Sequence, residues 1–377
     1  MKIGIDTFDC EGGKTAVGVY LTQFLKKIPP SGDHFELFGW DSDRFTYVAD
    51  APELEYISRC RINGRTANSL WHIFKYPRFA RCRAYDGCFF PAAHRQIPSR
   101  SPCPTVGVVH DMAAYWGTRE TRESLGAVIR MVLPNALRRL DRVIAVSGWV
   151  KQELINIVKV RESIIEVVPN GIDHAVFYPR PCNEKTVILI QPFSFRRPYM
   201  LCISRIEHPV KNHIRLIQAF NLFKEQSKCP HRLILAGFDD HQAEKVKEAA
   251  ADSPFRNDIF FTGHFPAKSL PELYAGADMV VIPSLYEGFG MGALEAMASG
   301  IPVICARAAS LPETAGTAAL YFDPYDPEDM AARMVTLGTN RELYQKCSRL
   351  GLEQAANFSW DICAKRTLAI IQETTGK

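Results

Sequence analysis

Short apolar runs and longer amphipathic stretches alternate along this chain. Residues 3–6, 34–38, 54–57, 106–111, 141–146 and 165–168 read as strands, being short and rich in β-branched and aromatic side chains. Between them, residues 17–27, 125–140 and 148–158 carry helical spacing. Pro134 is expected to kink or break the second of these helices, and Ser147 to cap the third. The alternation resumes with strands at 199–204, 232–236, 259–262, 278–283 and 302–306, and helices at 213–225, 242–251, 270–275, 329–337, 341–357 and 360–374. Strands joined through helices pair in parallel, so the pattern predicts an α/β protein of two doubly wound, Rossmann-like domains. Pro179 and Pro181 hold the chain extended between them. The linker is therefore placed at 179–198, between a domain at 1–178 and one at 199–358, with the C-terminal helix 359–377 joined to the first.

One stretch concentrates chemistry. Gly288, Gly290 and Gly292 lie between Glu287 and Glu295, where strand 278–283 turns into a helix. Glycines there let backbone approach a ligand, and the first N–H groups of a helix offer it partial positive charge, which is how backbone binds phosphate. Glu287 falls on the loop and Glu295 in the first turns of the helix, so the two carboxylates are expected to do different jobs. By themselves the glycines also fit an ordinary strand-to-helix turn. Arg205 and Lys211 bracket a proline-containing loop after strand 199–204, on the side where ligands bind in parallel sheets. They read either as phosphate ligands, a fork and a compact charge, or as two solvated loop cations.

The N-terminal half offers less. His110 and Asp111 close strand 106–111, where a histidine can meet a substrate hydroxyl, move a proton, or simply be tied to backbone. Glu11-Gly-Gly-Lys-Thr15 resembles half of a phosphate-binding P-loop, but Phe8 stands where the earlier glycine is needed. Gly12 and Gly13 thus mark a phosphate approach or a tight turn.

Length and composition then narrow the class. A chain of 377 residues, 47% hydrophobic, suits two globular domains. Its net charge of +4 comes from residues 1–180. The excess is densest between Arg59 and Tyr85, where Arg59, Arg61, Arg65, Lys75, Arg78, Arg81 and Arg83 interleave with Trp71, Phe74, Tyr76 and Phe79 and no acid occurs. A basic excess this local argues against nucleic-acid binding. Eleven scattered cysteines without a CxxC pair speak against a disulfide framework or a zinc site, and Cys202 and Cys305 read as packing residues in strands. Residues 2–6 read as a strand and not as a leader, and no run approaches the roughly 18 apolar residues of a spanning helix. The expectation is a cytoplasmic protein with reduced thiols.

Taken together, the Gly12-Gly13 loop, His110-Asp111, Val168-Pro-Asn-Gly-Ile-Asp173, Arg205 with Lys211-Asn212, Leu235-Ala-Gly237, Thr262-Gly263 and the Glu287/Glu295 motif resemble family 4 of the retaining glycosyltransferases. The resemblance spans nearly the whole chain. It implies the GT-B fold, two Rossmann-like domains facing across a cleft, and transfer of a hexose from a GDP- or UDP-linked sugar to a glycan or lipid-linked hydroxyl in surface polysaccharide or lipopolysaccharide synthesis. Anomeric configuration would be retained, with no cofactor and no metal. By the same resemblance Glu295 would bind the ribose, Glu287 would lie beside the donor sugar, and Arg205 and Lys211 would neutralise the leaving diphosphate. Gly288, Phe289, Gly290 and Met291 would contact sugar and phosphates, the base would sit near Gly263 and Phe265, and Gly12, Gly13 and His110 would complete the donor site on domain closure. Glu287, His110, Arg205 and Lys211 form the expected catalytic set. The basic stretch would lie in the acceptor-side domain, facing an anionic membrane surface, an acceptor cleft or solvent.

Two departures stand out: Gly292 replaces a proline common in the family, and Val19-Tyr20 replaces an Arg-Tyr pair. Hydrolysis by the Glu287/Glu295 pair fits less well, because retaining hydrolases hold their acids about 5 Å apart. Alternatives are a catalytically dead nucleotide-sugar binder that supports a partner transferase, an epimerase, or a phosphorylase, the last lacking any motif for a pyridoxal-phosphate lysine.

Overall fold

The computed structural model describes residues 1–10, 15–48, 54–59, 70–112, 127–182, 187–190 and 193–376. Gly12, Gly13 and residues 60–69 of the basic stretch lie outside the described residues. The chain divides into two compact units, Met1–Gly171 with Ser359–Lys377, and Ile172–Phe358.

The first unit is built on β1 (Lys2–Asp6), β2 (His34–Trp40), β3 (Glu55–Arg59), β4 (Gly87–Phe90), β5 (Thr105–Val109), β6 (Arg142–Ala145) and β7 (Ile165–Val167). They form one parallel sheet in the order β3-β2-β1-β4-β5-β6-β7. β1, β4, β5 and β6 are buried almost throughout, as strands covered on both faces must be. Ser147 caps its helix as expected, its hydroxyl accepting from the Val150 N–H at 3.2 Å. Pro134 neither breaks nor ends its helix, which runs Ala127–Leu137; so near the C-terminus the proline removes a single ladder bond. β4, too short for its pattern to register, was not anticipated.

The C-terminal helix Trp360–Thr375 returns to this unit. The Tyr20 and Thr367 hydroxyls meet at 2.9 Å, and Gln372 donates to Asp33 at 2.7 Å. Gly171 permits the crossing, since a Cβ there would lie 2.0 Å from the Trp360 nitrogen. The described part of the basic stretch is helical, a π turn at Trp71–Lys75 leading into Tyr76–Arg83. His72, Tyr76 and Ala80 are buried, whereas Phe74, Lys75, Arg78 and Arg81 face solvent. Arg83 anchors its end on buried Glu36, donating through Nε at 2.7 Å. Burial pushes the Glu36 carboxyl up, but Arg83, Tyr85 and Lys2 outweigh it and hold the pKa at about 2.

The second unit opens with a two-stranded antiparallel hairpin, β8 (Val187–Ile190) and β9 (Phe193–Arg196). These residues were expected to be linker. β10 (Tyr199–Ile203), β11 (Arg232–Ala236), β12 (Ile259–Phe261), β13 (Met279–Ile282), β14 (Val303–Ala306) and β15 (Leu320–Phe322) then form a parallel sheet in the order β12-β11-β10-β13-β14-β15. The strand order reverses between β10 and β13, the position at which open α/β sheets bind ligands. Among the described residues no helix is long and apolar enough to cross a membrane.

Candidate active site

The chain leaves β10 and β13 side by side at this reversal, and Asn212 anchors the loop that leaves β10. It adopts a left-handed conformation, φ +58°, and its buried amide donates to the Pro283 carbonyl at 3.0 Å and the Pro324 carbonyl at 2.7 Å. The Leu285 N–H donates to the Val210 carbonyl at 2.9 Å, tying the two loops together. Lys211 is thereby set against the glycine-rich loop, its Nζ 2.7 Å from Glu287 Oε1. The two side chains are 14% and 22% exposed, sheltered enough for the pair to resist screening.

The glycine loop is held from behind. Ser310 donates its hydroxyl to the Glu287 carbonyl at 2.8 Å, and Thr314 donates to the Phe289 carbonyl. Gly290, at φ +98°, then turns the chain into the helix Met291–Ala298, where a Cβ would lie 3.1 Å from Leu311 Cδ2. The first N–H groups of that helix have no partner within it and form its positive end. Gly292 carries no such requirement: a Cβ there meets nothing nearer than the Tyr274 hydroxyl at 3.5 Å. Gly292→Ala is therefore expected to raise stability by roughly 0.5–1 kcal/mol in urea unfolding while sparing activity.

Glu295 lies within the helix, as the sequence implied, but its partner is Tyr274, whose hydroxyl donates to Glu295 Oε2 at 2.8 Å. Burial pushes the Glu295 carboxyl up to about 7, and the tyrosine only partly offsets this. A carboxyl raised in the folded state contributes stability that is full below its unfolded pKa near 4.3 and is lost as pH rises through about 7. Glu295→Gln is thus expected to match wild type in thermal unfolding near pH 4.5 and to exceed it at pH 8.5, by on the order of 2–3 kcal/mol. Glu287 and Glu295 have different partners and different environments, in keeping with separate jobs.

Arg205 follows β10 as expected and holds acidic partners of its own. It is half-exposed, with Asp240 at 2.7 Å and Glu207 at 3.0 Å. Asp239 and Asp240, on the loop after β11, hold Lys247 and Arg205 respectively. Gly237 allows the ends of β10 and β11 to meet, since a Cβ there would fall 1.9 Å from the Ser204 carbonyl oxygen. It also pairs with Gly263, which has open space beside its Cα, and Phe265 packs half-buried against the core nearby in sequence.

In the first unit, His110 follows β5 and is buried. Its Nε2 lies 3.1 Å from the Pro91 carbonyl, so it carries the proton and donates, leaving Nδ1 as a buried acceptor with no partner among the described residues. Burial, then neighbouring His94, holds its pKa down at about 3. A neutral ring with one open acceptor suits binding a hydroxyl better than carrying a proton at neutral pH. Tyr274, Ser310 and Thr314 went unnoticed in the sequence, which offers no local signal for them.

A parallel sheet with lysine, glutamate and a glycine-gated helix start at its switch point has the chemistry that suits a phosphorylated ligand. Residues 190–354 match the family Glycosyl transferases group 1, and residues 17–176 match Glycosyltransferase Family 4. The chain is 35% identical over 286 residues to O-antigen chain mannosyltransferase B of Escherichia coli, covering 76% of this chain and 74% of that one. Its fold is similar to a sucrose-phosphate synthase from Thermosynechococcus elongatus (TM-score 0.75, 18% identity, 99% and 98% of the two chains). It is similar also to the Anabaena protein HepE solved with UDP and glucose (TM-score 0.72, 20% identity, 98% of each). The fold is GT-B, and the chain belongs to the family 4 glycosyltransferases.

Proposed function

We propose that this glycosyltransferase moves a hexose of the mannose or glucose type from a GDP- or UDP-linked donor to a hydroxyl of a glycan or lipid-linked acceptor, in surface polysaccharide or lipopolysaccharide synthesis. The observation that carries this reading is the Lys211–Glu287 pair at 2.7 Å, set at the positive end of the helix Met291–Ala298. When the bond between the anomeric carbon and the diphosphate oxygen breaks, negative charge grows on the leaving group. A fixed ammonium and oriented N–H groups stabilise it without reorganisation, so no bound metal is required. Arg205 adds charge from farther out, and Glu295 accepts from ribose hydroxyls. Glu287 lies beside the sugar, where its carboxylate favours positive charge on the anomeric carbon. The acceptor oxygen bonds to the anomeric carbon on the face the diphosphate leaves, and its proton passes to a diphosphate oxygen, which retains configuration.

GDP-mannose is the first donor to test, because the Escherichia coli relative is a mannosyltransferase. Donor cleavage without acceptor, followed by nucleotide release in EDTA, is the assay. Release from one of GDP-mannose, UDP-glucose or UDP-galactose is expected, with NMR of the freshly released sugar, read before it mutarotates, showing retained configuration. Loss of activity in EDTA, or an inverted product, would contradict the mechanism.

The acceptor side is proposed to include an anionic membrane surface. Phe74, Lys75, Arg78 and Arg81 share the exposed side of one helical stretch, the combination that seats a helix at a charged interface. Flotation with vesicles containing anionic lipid at low salt should recover the protein, and Phe74→Ser with Arg78→Glu should not. Equal recovery of both would rule the surface out.

A further inference from the structure

Cys88 and Cys103 lie in the first unit, at the end of the sheet where its strands begin. Cys88 is the second residue of β4 and fully buried, whereas Cys103 sits half-buried in the loop that leads into β5. Their sulfurs are 3.7 Å apart. Cys103 also lines a cavity of about 370 Å³ together with Arg100, Ser101, Arg139 and Asp141, large enough to admit a small polar molecule. Ser101 places its hydroxyl 3.5 Å from Cys103 Sγ, and the Tyr76 hydroxyl stands 3.2 Å from that of Ser101. Hydrogen-bond donors around a half-exposed sulfur favour its thiolate, while Arg100 and Arg139 line the same cavity.

We propose that Cys103 and Cys88 form a peroxide-reactive dithiol, with Cys103 the attacking thiolate and Cys88 the resolving thiol. The Cys103 sulfur attacks one oxygen of a peroxide, forming an S–O bond as the O–O bond breaks and releasing hydroxide, which leaves as water on protonation. The Cys88 sulfur then attacks the Cys103 sulfur, the S–S bond forms, the S–O bond breaks, and the departing hydroxide takes the Cys88 proton. The sum is two thiols and one hydrogen peroxide giving one disulfide and two waters. The two thiols are unequal in the required direction. The contact with Cys88, aided by Ser101 and Tyr76, lowers the Cys103 pKa to about 7 against burial, while burial pushes Cys88 well up. The pair must close from 3.7 Å to a bonded distance of about 2.05 Å. Cys103 is free of strand pairing and can rotate toward its partner.

The test is wild-type protein at pH 7.5 with one equivalent of hydrogen peroxide, alkylated and mapped by mass spectrometry against time. The expected result is a Cys88–Cys103 cross-link, two hydrogens lighter and reversed by dithiothreitol, with Cys103 lost at least about 10-fold faster than exposed Cys82. Cys88→Ser should instead accumulate a sulfenic acid at Cys103 that dimedone traps. Oxidation of Cys82 as fast as Cys103, or oxidation of Cys103 in wild type without the cross-link, overturns the proposal.

Discussion

Lys211→Ala is expected to lower kcat by about 10²–10³-fold, the loss typical of removing one fixed charge or donor from a developing oxyanion. KM for the donor should rise less, because charge on the bridging oxygen is greatest in the transition state. Two effects combine. The leaving diphosphate loses its nearest ammonium, and Glu287, 22% exposed, loses the partner held at 2.7 Å and repels the phosphate instead. Some stability should be lost as well, since breaking a sheltered pair leaves Glu287 without its partner, but the variant should remain folded at the assay temperature. Lys211→Arg should recover only part of the rate, because a planar fork does not replace a compact charge in a site set by Asn212. Steady-state kinetics beside a thermal melt separates these outcomes. Arg205→Ala should cost about 10-fold or less, because its guanidinium is half-exposed and already shared with Asp240 and Glu207.

Gly237→Ala is expected to be the most damaging of the small substitutions for folding. Its φ of +154° disfavours any side chain, and the added carbon would fall 1.9 Å from the Ser204 oxygen. Strain and overpacking together should cost about 2–4 kcal/mol. In a thermal melt this is a drop of several degrees at least. Relief requires the end of β11 to move from the end of β10, shifting Ser204 and Arg205, so donor affinity should fall in molecules that remain folded. Gly263→Ala makes a useful contrast, since nothing lies within 4 Å of the added carbon and only its φ of +63° opposes the change. A melt of Gly237→Ala indistinguishable from wild type would mean that the two strand ends are not packed as described.

The parallel strands were legible because strands covered on both faces must be continuously apolar, and the helices between them because one face must be. What escaped depended on distant partners. β4 is too short to show a period, and the hairpin Val187–Arg196 was hidden by the prolines before it. In the crevice, Lys211 and Glu287 could be singled out because each is charged and lies on a loop that follows a strand, but their pairing could not be read. Tyr274, Ser310 and Thr314 could not be singled out, because a hydroxyl on a helix carries no mark of the carbonyl or carboxylate it will meet. Arg205 could be placed on the loop after β10, but its ion pair with Asp240 could not be read, because Asp240 comes from another strand's loop.

The most direct test of the donor site is calorimetric titration of wild type and Lys211→Ala with GDP and with UDP, in EDTA. Wild type is expected to bind one of the two, and Lys211→Ala to bind it at least about 10-fold more weakly while remaining folded at the titration temperature. Equal affinity of the two proteins, or no binding of either nucleotide to wild type, would contradict the assignment of this crevice to a nucleotide-sugar.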